Sequence, residues 1–361
     1  MSHLAEVSRL LGMTIARDKT TTGRRVVVVG GGFAGVWSAL GAVRRLRELK
    51  LAAEVDVTVV SPDEYLGIRP RFYEAELDSL RVELAHVLAP VGVTHVPDRV
   101  VGVNQGDGVV ELGSGALRYD ALVWAAGSTL EAPKIPGSDL LHNVDTFAAA
   151  RALDRHLRSL AGRSEAAAST VVVVGAGFTG LEVAAELRDR LENIFGSPMT
   201  PRVFLIERAS TIAPEYGPDG RAVIERALAD LGVEVRTSTG VSSVSADAVR
   251  LASGEVIAAG TVIWTGGVRA NRATRLIGEA ADSLGRLDVD EMLHVRDSAR
   301  IWAAGDVARA SVDGSNFAMM SCQHAMPQGR FAGYNAASWL AGKKQRRYEQ
   351  NLYVTCLDLG R

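Results

Sequence analysis

Arg24-Arg25-Val26-Val27-Val28-Val29-Gly30-Gly31-Gly32-Phe33-Ala34-Gly35 is matched far along the chain by Thr170-Val171-Val172-Val173-Val174-Gly175-Ala176-Gly177-Phe178-Thr179-Gly180. Each stretch opens with an unbroken valine run, the pattern of a strand buried on both faces. Each then turns through GxGxxG into apolar residues at helical spacing, Trp37 to Leu49 in the first copy and Leu181 to Leu191 in the second. A further apolar strand closes each copy, Val55 to Val60 and Arg202 to Ile206. This order of strand, glycine turn, helix and strand predicts an α/β chain with two Rossmann-like three-layer dinucleotide-binding domains.

The glycines of such a turn have separate tasks. Gly30 and Gly175 permit the tight bend, Gly32 and Gly177 let the backbone approach a pyrophosphate, and Gly35 and Gly180 bring helix close to strand. Phe33, Ala34, Phe178 and Thr179 complete the two turns, where the unpaired N–H groups of a helix N-terminus meet phosphate. One such motif is common in α/β proteins. Two in matching contexts imply two ligands that exchange electrons, one of them resident, and a flavin is the usual resident.

A carboxylate at the end of the second strand ordinarily accepts from ribose hydroxyls. Glu207 follows Ile206 directly. It favours NADH, whose 2'-hydroxyl it can bind, over the 2'-phosphate of NADPH, a preference that Arg208 can soften. The matching slot of the first copy is Ser61, and the nearest acids are Asp63 and Glu64, so Asp63 is the candidate there despite its shifted register. Two more apolar strands end in small residues that permit close approach of a cofactor. They are Asp120 to Gly127, ending in Ala126 and Gly127, and Val262 to Gly267, ending in Gly266 and Gly267. Near the C-terminus Arg300 to Asp306 reads as a short buried strand followed by Gly305-Asp306, an aspartate placed to bind a ribityl hydroxyl. It implies that the first domain is discontinuous and closes around the second. The divisions read from the sequence are 1–23 (leader), 24–145 (FAD domain, first part), 146–270 (NADH domain), 271–345 (FAD domain, second part) and 346–361 (the start of a C-terminal segment, incomplete or shortened).

Composition narrows the alternatives. The 361 residues suffice for two or three domains, and a formal charge of -2 gives no reason to expect nucleic acid. Only Cys322 and Cys356 are present, far apart, which excludes a CxxC redox motif and points to a reducing compartment. The seven histidines show no metal-ligand spacing, so no metal is expected. No apolar run reaches the roughly 18 residues of a spanning helix. Leu4, Val7, Leu10, Leu11 and Ile15 recur at near-helical spacing, either as a short leader helix or as one that meets a membrane surface or a partner.

These motifs, with Cys322-Gln323-His324-Ala325-Met326-Pro327-Gln328-Gly329, make the chain from Arg24 to about Gly342 resemble the two-dinucleotide-binding-domain flavoproteins, and among them the type II NADH dehydrogenases, single-subunit NADH:quinone oxidoreductases. The resemblance implies FAD on Gly30, Gly32 and Gly35, with Asp306 on the ribityl chain, and NADH on Gly175, Gly177 and Gly180. It implies that Tyr65 to Glu74, including Arg69, lies near the isoalloxazine. A helix starting near Pro327 would point its N-terminus at the flavin, with Gln323, His324 and Ala325 beside it. Glu182, just after the second glycine turn, corresponds to a glutamate implicated in proton handling. A first-turn glutamate favoured by the helix dipole is the equal alternative. The family's Ala-Gln-x-Ala-x-Gln quinone pattern reads here with Cys322 first and Pro327 in the last place, although Gln328 follows, and the usual Ala-Thr-Gly is Ala125-Ala126-Gly127. The expected reaction is NADH oxidation through FAD, with a quinone as first-choice acceptor. Another small redox protein, a biosynthetic substrate, or a role as an NADH-sensing flavoprotein resembling apoptosis-inducing-factor relatives are the alternatives. A cytoplasmic location, with peripheral membrane contact and a homodimer left open, completes the reading.

Overall fold

The computed structural model describes residues 23–163, 165–196, 200–350, 354 and 356–360. The leader helix expected from Leu4 to Ile15 falls outside them, and of the C-terminal segment Val354 and Cys356 are described and lie in no regular element. In chain order the principal elements are β1 (Arg24–Val29), α1 (Phe33–Glu48), β2 (Val55–Val60), β3 (Thr94–Val96), β4 (Ala121–Trp124), α2 (Phe147–Leu160), β5 (Thr170–Val174), α3 (Phe178–Phe195), β6 (Arg202–Ile206), α4 (Gly217–Asp230), β7 (Val233–Arg236), β8 (Thr261–Trp264), β9 (Ile301–Ala303) and α5 (Cys322–Leu340). They fall into two compact units. The first holds the described residues up to Gly67, Val82–Thr129 and those from Arg269 through Gln350; the second holds Ile68–Arg81, Leu130–Val268 and the described residues from Val354 on.

The first unit is built on a five-stranded sheet in the order β9-β4-β1-β2-β3. Its strands are parallel, with Val26 opposite Val57 on one side and Ala121 on the other. Val26, Val27 and Val28 are fully buried, as an unbroken valine run in a covered parallel sheet should be. The antiparallel meander Val100–Asn104, Val109–Leu112 and Gly115–Arg118 adds Val100, Val110 and Leu112 to the same core. β9 is the far-downstream strand expected to return to this sheet: Ile301 pairs with Leu122 of β4. Helices α1 and α5 meet through glycine. A Cβ on Gly333 would lie 1.8 Å from the Ser38 carbonyl oxygen, and one on Gly329 would lie 2.4 Å from that of Ala34. Backbones this close leave no room for a methyl group.

The second unit repeats the plan with four parallel strands, β7-β6-β5-β8. Alternation along its valine run is explicit. Val171 and Val173 join the core formed with Leu181, Ala184 and Leu187 of α3, whereas Val172 and Val174 join a second core with Val249, Leu251 and Ile257 of an antiparallel meander. Successive strand side chains point to opposite faces, and both faces are covered.

The division of the chain departs from the sequence reading. Residues 68–81 and 130–145, expected with the FAD domain, cluster with the second unit. The cause is local: Phe72, Leu77 and Leu80 pack with Ala150 and Phe147 of α2, and Asp145 pairs with Arg69 and accepts from the Leu130 N–H at 3.2 Å. Among the described residues no helix is long and apolar enough to cross a membrane, and no cluster of His, Cys, Asp and Glu is arranged to hold a metal ion.

Gly333→Ala is expected to destabilise the protein by about 1–3 kcal/mol, the usual cost of overpacking. Gly106→Ala is the control, since its Cβ would meet only Asn104 Oδ1 at 3.5 Å. Equal urea midpoints for the two variants would remove the helix crossing as a tight constraint.

Candidate active site: two glycine cradles

The two glycine turns are built alike, and each glycine can be tested by what a Cβ would meet. Gly30 and Gly175 have φ of +120° and +104°, outside the range that side-chain-bearing residues adopt readily. A Cβ on Gly35 would lie 1.8 Å from the Gly30 carbonyl oxygen, and one on Gly180 would lie 1.7 Å from that of Gly175. The protein itself therefore requires the first and third glycines of each motif. The middle glycines differ: a Cβ on Gly32 or on Gly177 would meet nothing within 4 Å. The fold leaves space above each, at the start of a helix with no side-chain cap. That is the arrangement a pyrophosphate needs, with open space over the backbone and unsatisfied N–H groups facing it. Phe33, Ala34, Phe178 and Thr179 form the first turns of the two helices, which begin directly after the middle glycines and earlier than the apolar periodicity suggested.

At the end of β6, Glu207 is locked into place. One carboxylate oxygen accepts from the Ala176 N–H at 2.7 Å and the other from the Ala209 N–H at 2.8 Å. Each oxygen keeps a lone pair for a further donor. The equivalent position of the first unit is Ser61, which is buried, with its Oγ 2.7 Å from where a Cβ of Gly31 would stand. Asp63, the sequence candidate for that ribose, is exposed in the loop beyond. Gly266 and Gly267 follow β8 as expected, and Gly267 has φ +78°. The residue before them, Thr265, was not singled out by sequence. Its hydroxyl lies 2.9 Å from the Val174 carbonyl and 3.0 Å from that of Gly175, so it pins the turn. The first unit has Ala125 there, whose carbonyl would lie 2.1 Å from a Gly30 Cβ, with Ala126 and Gly127 following. Aligning the two strand ends, Trp-Ala-Ala-Gly with Trp-Thr-Gly-Gly, was the signal that could have found Thr265.

Asp306 follows β9 and accepts from Ser128 Oγ at 2.6 Å. Gly305, at φ +75°, is held by its N–H to Gln328 Oε1 at 2.7 Å. Gln328 is thus a buried clamp on α5, one residue beyond Pro327. The helix expected to start near Pro327 starts at Cys322, and the proline lies inside it. The reason is Ser321, an N-cap whose Oγ accepts from the His324 N–H and lies 2.9 Å from His324 Nδ1. Gln323, His324 and Ala325 therefore make up the first turn. His324 is buried, and burial lowers its pKa against the opposing pull of Asp306. Beside this helix a groove of 730 Å³ is walled by Trp37, Leu40, Met326, Phe331 and Tyr334.

Arg69, expected near the flavin, belongs to the second unit, where its guanidinium pairs with Asp145. Glu182 lies on α3, half-buried, with its pKa pushed up to about 7 by burial and by the carboxylates of Asp358 and Glu74. Neither Cys322, half-buried in the first unit, nor Cys356, exposed in the second, forms a disulfide.

Residues 24–329 match the model of the pyridine nucleotide-disulphide oxidoreductase family. A NADH dehydrogenase-like protein of Mycobacterium tuberculosis is 47% identical over 93% of this chain and 86% of its own length. The type II NADH:quinone oxidoreductase of Staphylococcus haemolyticus is 26% identical over 93% of this chain and 88% of its own. The NDH2 structure from Plasmodium falciparum, in complex with NADH, superposes with a TM-score of 0.76 at 14% identity, covering 94% of this chain and 88% of that one, a likeness of fold. A twofold glycine cradle, each with its middle position left open, and a match spanning both copies have one consequence: the chain is an oxidoreductase that belongs to the pyridine nucleotide-disulphide oxidoreductase family, beside its NADH dehydrogenase-like members.

Proposed function

We propose that this chain oxidises NADH through an FAD group carried by the first unit and passes the electrons to a quinone. The observation that carries the proposal is the pair of middle glycines whose space the protein leaves unfilled, beside the tethered carboxylate of Glu207. Gly30, Gly32 and Gly35 with the α1 N-terminus are suited to hold the FAD pyrophosphate, and Asp306 its ribityl chain. Ala126 and Gly127, and the α5 start at Gln323, His324 and Ala325, lie on the same unit. FAD, when bound, supplies the electron-transfer chemistry between donor and acceptor. The protein's own part is to hold and orient. Gly175, Gly177 and Gly180 receive the NADH pyrophosphate, Glu207 takes the ribose hydroxyls, and Gly266 and Gly267 leave room for the nucleotide. Glu182, a carboxyl that is half protonated near neutral pH, is suited to holding a proton for the acceptor. Cys322 and Cys356 are not suited to a dithiol step, since neither belongs to a CxxC pair.

A quinone acceptor is supported by the name of the Staphylococcus relative and by the groove along α1 and α5, where Trp37, Leu40, Met326, Phe331 and Tyr334 stand among Arg44, Arg330, Arg346, Glu349 and Gln350. A quinone substrate would have the chain work on the cytoplasmic face of a membrane, in peripheral contact with it.

Anaerobic addition of NADH to the FAD-loaded protein is expected to bleach the visible flavin bands, and a quinone to restore them; a spectrum unmoved by both NADH and NADPH would defeat the proposal. Gly177→Ala should weaken NADH at least about tenfold, roughly 1.4 kcal/mol. Gly32→Ala should weaken FAD comparably. Both should keep the wild-type melting temperature, because neither methyl group meets protein. A fall in stability equal to that of a third-glycine variant would show the middle positions to be structural. Glu207→Ala should raise KM for NADH more than for NADPH, and an unchanged ratio would take Glu207 out of nucleotide selection.

A further inference from the structure

In the second unit the segment Cys356–Gly360 lies on α3. Leu357 and Leu359 pack against the core that holds Leu181 and Leu187, while Asp358 between them stays exposed. The Asp358 N–H donates to Glu182 Oε1 at 3.3 Å. Its carboxylate is held in turn, with Oδ1 accepting from the Gly360 N–H at 3.0 Å. A Cβ on Gly360 would lie 3.2 Å from the Ala185 carbonyl oxygen, so the segment sits close on the helix. We propose that Asp358 is a positioning residue for Glu182: the segment fixes one oxygen of that carboxyl through a backbone N–H and sets a second carboxylate beside it, so that a proton is held and released there. This rests on the proton-handling reading of Glu182.

The surrounding charges fit the assignment. Segment 68–81 brings Arg71, Tyr73 and Glu74; α3 brings Glu182, Glu186, Asp189 and Arg190; the C-terminal segment brings Asp358. Two cations belong to the same cluster, Arg71 drawn to Glu74 and Asp358 and Arg190 drawn to Glu186, and neither pairs with Glu182. Arg71 pairs with Glu74, and Arg190 reaches Asp154 at 2.9 Å and the Tyr73 carbonyl at 3.0 Å. Among the described residues Glu182 has an N–H donor and like charges around it and makes no ion pair. Burial raises its pKa first, and Asp358 and then Glu74 raise it further, against the pull of the Asp358 N–H. Glu186 and Tyr73 are raised for the same reasons, burial before neighbouring carboxylates. A neighbouring negative charge disfavours the ionised form, so removing the Asp358 charge should let Glu182 ionise at lower pH.

The test is Asp358→Asn in the FAD-loaded protein, read in two ways. Carbon-13 NMR of labelled glutamate carboxyls, assigned with Glu182→Gln, follows the titration directly; the pH profile of NADH oxidation follows its use. Both midpoints are expected to fall by about half to one pH unit, the scale of one like-charge neighbour at a half-buried site. The melting temperature should stay put, since Asp358 is exposed. An NMR midpoint equal to that of the wild type overturns the role of Asp358 and leaves the reading of Glu182 standing. A shifted NMR midpoint with an unmoved rate profile, one that Glu182→Gln also preserves, overturns the role of Glu182 in the reaction and this inference with it.

Discussion

The carbonyl oxygen of Gly30 faces Gly35, and that of Gly175 faces Gly180, at distances where no Cβ could stand. From this contact the rest of each unit follows. A helix that starts so close to its strand must leave the strand through a backbone conformation of positive φ, which Gly30 and Gly175 supply. It begins at Gly32 or Gly177, which has no side chain to cap it, and so leaves N–H groups at its first turn unspent. The valine strand, covered on both faces, fixes the turn at the sheet's end. Close packing thus sets the turn, and the open middle glycine leaves those N–H groups reachable.

The same geometry is secured differently in the two copies. In the second unit Thr265 ties the turn by its hydroxyl and Glu207 braces it from the side by accepting from Ala176. In the first unit the corresponding places hold Ala125 and Ser61, both buried, and the turn is backed by main chain and a small hydroxyl. The carboxylate is present in one cradle and absent from the other. Such a difference suits one site that must select and release a nucleotide and another whose occupant stays. The first unit adds what the second lacks, a strand and a helix supplied from far downstream, with Gln328 clamping Gly305 and placing Asp306 at the strand end.

Charge is placed with comparable economy. Glu207 is held by two N–H donors, while Glu182 is given burial, one long N–H contact and neighbouring carboxylates. The first environment favours a fixed acceptor, the second a carboxyl that gains and loses a proton near neutrality. Two glutamates of identical chemistry thus meet different surroundings.

Much of the fold was legible along the chain because its decisive contacts are short in sequence. Valine runs, glycine spacing and a strand-end Glu207 are local patterns, and β2 and β6 lie where the apolar residues put them. The helices start earlier than periodicity suggested, since the turn glycines already belong to the helix entry. Pro327 suits the first turn of a helix and points to a start there, whereas Ser321 caps α5 through His324 and places its start at Cys322. Contacts distant in sequence were not legible. The pairing of Arg69 with Asp145, the clamp of Gln328 on Gly305 and the seating of Asp358 over Glu182 join residues that no spacing rule connects. The sequence by itself determined that two dinucleotide cradles would form, because backbone sterics at glycine and strand burial act between near neighbours. Only the tertiary structure decided which side chains stand around them and with what proton affinity, because burial and the field of neighbouring charges exist only once distant segments have packed together.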